Sequence, residues 1–381
     1  MKNKVAIIDT LGAHGGSFHF YTFGQSIGLI KSGIKTSLYT NNETINPKID
    51  RLNFFSFYKN VFASKSKIRN GIQWIFGSFR SILHARFSGV SIFHFHIFYT
   101  NILILFNIVL VKLLFGKVVL TVHDVSSFAS TRKSIFTSKL VYRISDLLIT
   151  HNQYSLNEII KIDKLFQRKL HIIPHGNYTP FINIQSNKKR SREYLNLPAE
   201  KKILLFFGMI KKVKGLDILL NSFKEVIHKD PNIVLLVAGR LWKNDFTIYQ
   251  EIIEKNNLSN NIILHTRFIP HYDVEHYFCA SDLVVLPYKK IYQSGVLMMS
   301  LSYKKPVLVS DLPPLKEVIT DNKNGFLFKS EDVKDLTNKL NFILSDKCDL
   351  KRIESNGSKL INKEFSWEKI GRLTAKAYKT L

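Results

Sequence analysis

Along almost the whole chain of 381 residues, strand-length apolar runs alternate with helix-length amphipathic runs. That alternation restricts the fold more than any single motif. In the first half the strand-like runs are Val5–Ile8, Lys35–Tyr39, Ile92–His96, Val118–Val122, Leu147–Thr150 and His171–Ile173. In the second half they are Ile203–Phe207, Ile233–Ala238, Ile262–His265, Leu283–Leu286, Pro306–Val309 and Gly325–Phe328. Between them lie helical patterns such as Phe18–Ser32, Lys133–Ile144, Leu216–Ile227, Phe246–Asn256, Val274–Ala280, Gly295–Leu301 and Val333–Ser345. A helix between successive strands is the crossover that parallel neighbours need, and a parallel sheet must be covered on both faces. The expected class is therefore α/β, with doubly wound, Rossmann-like sheets. At roughly 100–200 residues per domain the length suggests two of them. Pro180 followed by the polar stretch 181–200 marks the boundary. The domains are expected at 1–178 and 179–365. Residues 366–381 follow as an amphipathic helix, capped by Ser366 and carrying Trp367, Ile370, Leu373, Ala377 and Tyr378 on one side.

Charge narrows the partners. The net charge is +26, and the first half is basic chiefly because acids are scarce there. Such a surface favours acidic lipid headgroups, nucleic acid or a diphosphate-bearing substrate; the alternative is a lysine-rich source composition. Two distant cysteines, Cys279 and Cys348, form neither a disulfide framework nor a zinc pattern, so a reducing, cytoplasmic setting is expected. Met1-Lys2-Asn3-Lys4 runs straight into a strand, which is not a secretory signal. The longest apolar run, Ile102–Phe115, is broken by Asn107 and Lys112 and falls short of the ~20 residues a bilayer requires. It reads as a buried or membrane-surface helix.

In open α/β sheets ligands sit beyond the carboxyl ends of strands. One such end is Phe206-Phe207-Gly208-Met209-Ile210-Lys211-Lys212-Val213-Lys214-Gly215. A strand, a glycine turn, clustered lysines and a helix start can hold a phosphate; alone, the segment reads equally as a solvated basic loop. A second is Tyr292-Gln293-Ser294-Gly295-Val296, ahead of a helix containing Ser300. Together the two suit the two phosphates of one diphosphate. In the first half, Asp9–Ser17 carries Gly15 and Gly16, a pair that either lines a cleft or makes a tight turn. It is not G-x-G-x-x-G, so a dinucleotide site is not expected. His123-Asp124 follows a strand and could bond sugar hydroxyls or move a proton; the alternative is a helix cap beside a structural histidine. In His94-Phe95-His96 the two histidines are expected on opposite faces, with no third ligand spaced for a metal. His175-Gly176 closes the first domain as a cleft loop or a linker turn.

In order and spacing these segments resemble a GT-B glycosyltransferase, close to the retaining family-4 enzymes. Phe207-Gly208-Met209-Ile210 through Lys214-Gly215-Leu216-Asp217 resembles F-G-R-[IL]-x-x-x-K-G. Val237-Ala238-Gly239 and Phe268-Ile269-Pro270 resemble the base-side segments, and Ala280-Ser281-Asp282-Leu283-Val284-Val285-Leu286-Pro287 resembles A-A-D-[VL]-x-[VL]-x-P. Lys305-Pro306-Val307-Leu308-Val309-Ser310-Asp311, Glu317-Val318-Ile319 and Asn324-Gly325-Phe326-Leu327 follow the family order, as do the Gly15-Gly16 and Thr121–Asp124 loops. There are departures. Met209 stands where relatives carry an arginine, with Lys211 as a stand-in. The E-x7-E glutamates fall on Tyr292 and Ser300, a variant that similar sugar transferases carry as Gln-Ser-Gly or Ser-Gly.

The resemblance implies two domains facing a cleft, with the last helix crossing back to the first domain. It implies a hexosyltransferase that moves a sugar from a UDP- or GDP-linked donor to a lipid-linked or surface-polysaccharide acceptor such as O-antigen, capsule or exopolysaccharide. Donor contacts fall on Gly208, Lys211, Lys214, Gly239, Phe268, Tyr292, Gln293, Ser294, Gly295, Val296 and Ser300. Catalytic roles fall on His123 and Asp124, and the acceptor loops on Gly15, Gly16 and His175. No cofactor or metal is expected, since lysines take the metal's place. A basic, aromatic first domain (Lys59, Lys65, Lys67, Arg69, Arg80, Arg86, with Trp74, Ile75 and Phe76) suits an anionic membrane surface, placing the protein on the inner face of the cell membrane. No nucleic-acid reader motif is present. The rival readings are a nucleotide-sugar epimerase, a DNA glucosyltransferase and a non-catalytic partner subunit.

Overall fold

A computed structural model describes residues 4–14, 16, 18–125, 132–243, 245–345 and 348–381. The chain opens with β1 (Lys4–Asp9), α1 (His19–Lys31), β2 (Lys35–Asn41), β3 (Asn53–Tyr58), α2 (Lys67–Phe87) and β4 (Ile92–Ile97). It continues through α3 (Ile102–Leu113), β5 (Lys117–Val122), α4 (Arg132–Ile144), β6 (Leu147–Thr150), α5 (Gln153–Ile162) and β7 (Leu170–Ile172). Next come α6 (Lys188–Tyr194), β8 (Lys202–Phe207), α7 (Leu216–Lys229), β9 (Ile233–Ala238), α8 (Thr247–Lys255), β10 (Ile262–His265), α9 (His271–Ala280) and β11 (Leu283–Leu286). The last elements are α10 (Gly295–Ser302), β12 (Val307–Ser310), α11 (Pro313–Lys316), β13 (Phe326–Phe328), α12 (Val333–Ile343), α13 (Leu350–Glu364) and α14 (Trp367–Tyr378). Two compact units result: Met1–Gly176 with Phe365–Leu381, and Asn177–Glu364.

The first unit has a seven-stranded sheet in the order β3-β2-β1-β4-β5-β6-β7, parallel throughout. Central strands read as continuous apolar runs because both faces are covered: Val5, Ala6, Ile7 and Ile8 are all buried. The edge strand β3 is mostly half-buried and has no clean apolar run, so the sequence pattern does not announce it. α14 packs on α1. Its N-cap Ser366 accepts from the Lys369 N–H, and Gly28 and Gly371 let the two helices touch. A Cβ on Gly371 would stand 2.0 Å from the Gly28 carbonyl oxygen, and one on Gly24 or Gly176 would strike the Trp367 ring. Trp367 is therefore the plug that anchors the returning helix.

The second unit has a six-stranded parallel sheet, β10-β9-β8-β11-β12-β13. Its core joins Leu204, Phe206, Leu219, Phe223, Leu235, Val237, Val285, Leu308, Phe326, Leu336 and Leu340. Strand order runs outward in opposite directions from β8 and β11. That pair is the topological switch point, where connections leave to opposite faces and a crevice opens at the strand ends.

Candidate functional site

Both phosphate-type segments of the second unit lie at that switch point. β8 ends at Gly208, which has φ +105°, and a Cβ there would lie 3.2 Å from Val296 on α10. The Gly208 N–H donates to the Ala238 carbonyl at 2.9 Å. Gly239, at φ +148°, is held so close that a Cβ would meet the Gly208 carbonyl oxygen at 2.0 Å. Gly239 thus shapes the end of β8 through backbone contact. After Ile210 a single 3-10 turn, Lys212–Lys214, leads to Gly215, whose left-handed φ of +68° starts α7. A Cβ on Gly215 would overlap the Pro287 carbonyl oxygen, so glycine is required there.

The loop after β11 is stitched to this turn. The Lys289 N–H donates to the Val213 carbonyl at 2.9 Å, and Lys289 Nζ bonds Asp217 at 2.7 Å. Lys214 Nζ sits 3.8 Å above the Tyr288 ring centre, and Lys211 Nζ 4.2 Å above that of Trp242. Aromatic faces hold both ammonium groups in place. Lys212 is exposed. Ser294 is the N-cap of α10, accepting from the Leu297 N–H at 3.1 Å. The first N–H groups of a helix have no intrahelical partner, so Gly295 and Val296 open an anion-accepting end. Ser300 is fully buried and donates to the Val296 carbonyl at 2.7 Å, so its hydroxyl serves the helix. Tyr292 is also buried, Gln293 is half-buried, and Phe268, beyond β10, is 52% exposed. Donor contacts expected from Tyr292 and Ser300 therefore meet side chains packed inward.

In the first unit the strand ends gather histidines. His94 and His96 stack with ring centres 4.9 Å apart, 14° from parallel. The expectation of opposite faces is wrong: residues two apart in a strand share a face. His94 bonds Thr121 and Tyr378 of α14. His96 Nδ1 lies 3.1 Å from His123 Nε2, His123 Nδ1 lies 3.0 Å from His151 Nε2, and His151 Nδ1 lies 3.0 Å from the Ile173 carbonyl. Both nitrogens of His123 are therefore engaged, so a substrate reaches it only by replacing one of these bonds. Burial drives the pKa values down, to about 3 for His94 and His175 and about 4 for His151, and well below the usual range for His96 and His123. His175 is buried against Tyr21 and bonds the Gly176 carbonyl at 2.6 Å. Among the described residues, no group of three or more His, Cys, Asp or Glu is placed to hold a metal ion.

Asp124 is half-buried beside His123. Gly15 lies outside the described residues. A Cβ on Gly16 would meet nothing within 4 Å, so crowding does not require that glycine. The crowded glycine of the loop is Gly12, at φ +50° against Thr44 Oγ1. Asp9, which closes β1, accepts from the Gly12 N–H and the Thr22 hydroxyl, and burial pushes its carboxyl up to about 6. Sequence reading missed Asp9, Gln25 and His151. A signal existed: His96, His123, His151 and His175 end four successive parallel strands.

Residues 187–360, nearly all of the second unit, match the model of the family described as glycosyl transferases group 1. An uncharacterized glycosyltransferase of Methanocaldococcus jannaschii is 25% identical over 69% of this chain and 68% of its own length. The lipopolysaccharide core biosynthesis mannosyltransferase LpsB of Rhizobium meliloti is 23% identical over 55% of this chain, and the match spans 60% of that relative. Among solved structures, HepE of Anabaena in complex with UDP and glucose superposes with a TM-score of 0.77 at 15% identity, covering 100% of both chains.

Proposed function

We propose that this chain, which has the GT-B fold and whose second unit matches the group 1 glycosyl transferases, is a glycosyltransferase that moves a hexose from a nucleoside diphosphate sugar to a lipid-linked or surface-polysaccharide acceptor. The observation that carries the donor half is the switch point of the second unit. There the loop after β11 is bonded to the Gly208–Gly215 turn through the Lys289 N–H, Gly208 lies close to Val296 at the start of α10, and Lys214 is held over Tyr288. As the glycosidic bond breaks, negative charge grows on the departing diphosphate. In this reading Lys214, Lys211 and the amides of Gly295 and Val296 would stabilise that charge, in place of a metal. UDP is the first donor nucleotide to test, because HepE was solved with UDP and glucose. In an inverting reaction Asp124 is the base; in a retaining one no base is needed and His123 holds the sugar.

The acceptor half rests on the first unit's surface. α2 exposes Ile68, Ile72, Ile75, Phe76 and Phe79, flanked by Lys65, Lys67 and Arg69. Apolar side chains ringed by cations fit the interface of an anionic bilayer. No helix among the described residues is long and apolar enough to cross a membrane. The kinship with a lipopolysaccharide mannosyltransferase points to the same class of acceptor.

The test is a thermal-shift panel of UDP-, GDP- and ADP-sugars on wild type and Lys214→Ala. One nucleotide series should raise the melting temperature of wild type, with the variant needing about tenfold more ligand. Equal shifts in both proteins remove Lys214 from the site, and no shift with any donor favours a non-catalytic partner subunit. NMR of the product's anomeric centre then distinguishes retention from inversion.

A further inference from the structure

The histidine chain of the first unit has a polarity that the backbone dictates. A carbonyl oxygen only accepts, so His151, 3.0 Å from the Ile173 oxygen, carries its proton on Nδ1. A neutral ring then has a lone pair at Nε2, and that nitrogen faces His123 Nδ1 at 3.0 Å. His123 must donate from Nδ1, which leaves its own Nε2 as an acceptor. His96 Nδ1, 3.1 Å away, must donate in turn. All three rings are thereby Nδ1–H tautomers. The last lone pair, on His96 Nε2, faces the Gln25 side-chain amide at 2.9 Å. Oε1 occupies that position, and half a turn of the amide replaces it with the N–H the chain requires. Phe18, Tyr21 and Phe98 box the His123 ring at centre distances of 5.0, 4.9 and 4.7 Å, fixing its plane.

We propose that His151, His96 and Gln25 are positioning residues that hold His123 as the Nδ1–H tautomer, so that a ligand displacing the His96 bond meets only an acceptor lone pair at Nε2. The group that can replace the 3.1 Å His96–His123 bond, as the two rings part, is a hydroxyl. It accepts from His96 Nδ1–H and donates to His123 Nε2, whereas a carbonyl or an ammonium satisfies only one side. Identifying that hydroxyl with a sugar rests on the glycosyl-transfer reading; the tautomers do not.

The full chain labelled with 15N-histidine tests this by two-bond proton–nitrogen spectra, which separate the two neutral tautomers. His96, His123 and His151 are expected as Nδ1–H in the wild type. His151→Leu removes the acceptor and should send His123 to a mixture or to Nε2–H, whereas His151→Gln, whose carbonyl can accept, should restore Nδ1–H. In transfer assays the leucine variant should lose about tenfold or more in kcat, with KM nearly unchanged and the glutamine variant recovering most of the loss. His123 as Nε2–H in the wild type overturns the proposal, as does an unchanged His123 spectrum or kcat in His151→Leu. If that variant does not fold, the wild-type spectrum alone decides. The expected spectrum without transfer to any acceptor supports the chain and removes the functional reading instead.

Discussion

Acid should unfold the first unit well before the second. His94, His123, His151 and His175 are buried, His96 is half-buried beside them, and all five are held neutral in the native state by desolvation. In the unfolded chain each returns to about 6.5. Between the native values, about 3 to 4 where they are defined, and 6.5, the unfolded state binds more protons. Stability is therefore fully present above pH 6.5 and is lost as pH falls below it. Each histidine contributes up to about 1.4 kcal/mol per pH unit in that window. Asp9 acts in the opposite sense. Its carboxyl stays protonated to about pH 6 in the fold against 3.8 for a free one, so its contribution is lost as pH rises through that range. One carboxyl against five imidazoles leaves a slope of up to ~5 kcal/mol per pH unit near pH 5, comparable with the total stability of a domain at ~5–15 kcal/mol. Urea unfolding followed by tryptophan fluorescence measures it. In a Trp242→Phe background only Trp74 and Trp367 report, and both are buried in the first unit. The midpoint should fall steeply between pH 6.5 and 5. A midpoint unchanged between pH 7.5 and 5.5 would refute the argument, because it would mean that the histidines titrate alike in both states.

Other expectations are local. Gly371→Ala should weaken the docking of α14 on α1 by about 1–3 kcal/mol through overpacking against Gly28, read as a lower urea midpoint and faster proteolysis of the C-terminal segment. Ser294→Ala removes the cap of α10, costing about 1 kcal/mol of stability and weakening donor binding in the same thermal-shift panel. Asp282 pairs with Arg192, whose side chain is 4% exposed, and also accepts from the Ile203 N–H. Asp282→Ala leaves that buried guanidinium without its carboxylate, bonded only to the backbone carbonyls of Pro198, Ala199 and Ala280, and should cost ~3 kcal/mol by urea titration. Replacing Ile72, Phe76 and Phe79 with serine should reduce cosedimentation with anionic vesicles severalfold while leaving the donor-induced thermal shift in place; equal cosedimentation would count against the membrane-facing role of α2.

Strand and helix periods made the α/β class and the six strands of the second unit legible in the sequence. β3 escaped because an edge strand buries little and its Asn53–Tyr58 run shows no clean alternation. The Gly208–Gly215 and Ser294–Val296 segments were legible as anion sites because backbone conformation, charge and helix start are all local there. Their meeting at one switch point was not, since it depends on β8 pairing with β11 across nearly eighty residues. The same limit explains Tyr292 and Ser300: position in a motif does not say which way a side chain points once its helix packs.

The sequence by itself determined which segments become strands, helices and glycine turns, because those choices rest on side-chain period and on φ values only certain residues adopt. Only the tertiary structure decided who meets whom. His96, His123 and His151 are unremarkable strand-end residues until parallel pairing sets β4, β5 and β6 side by side. Burial then removes their protons, and a single backbone carbonyl at Ile173 orients the chain of hydrogen bonds that joins them.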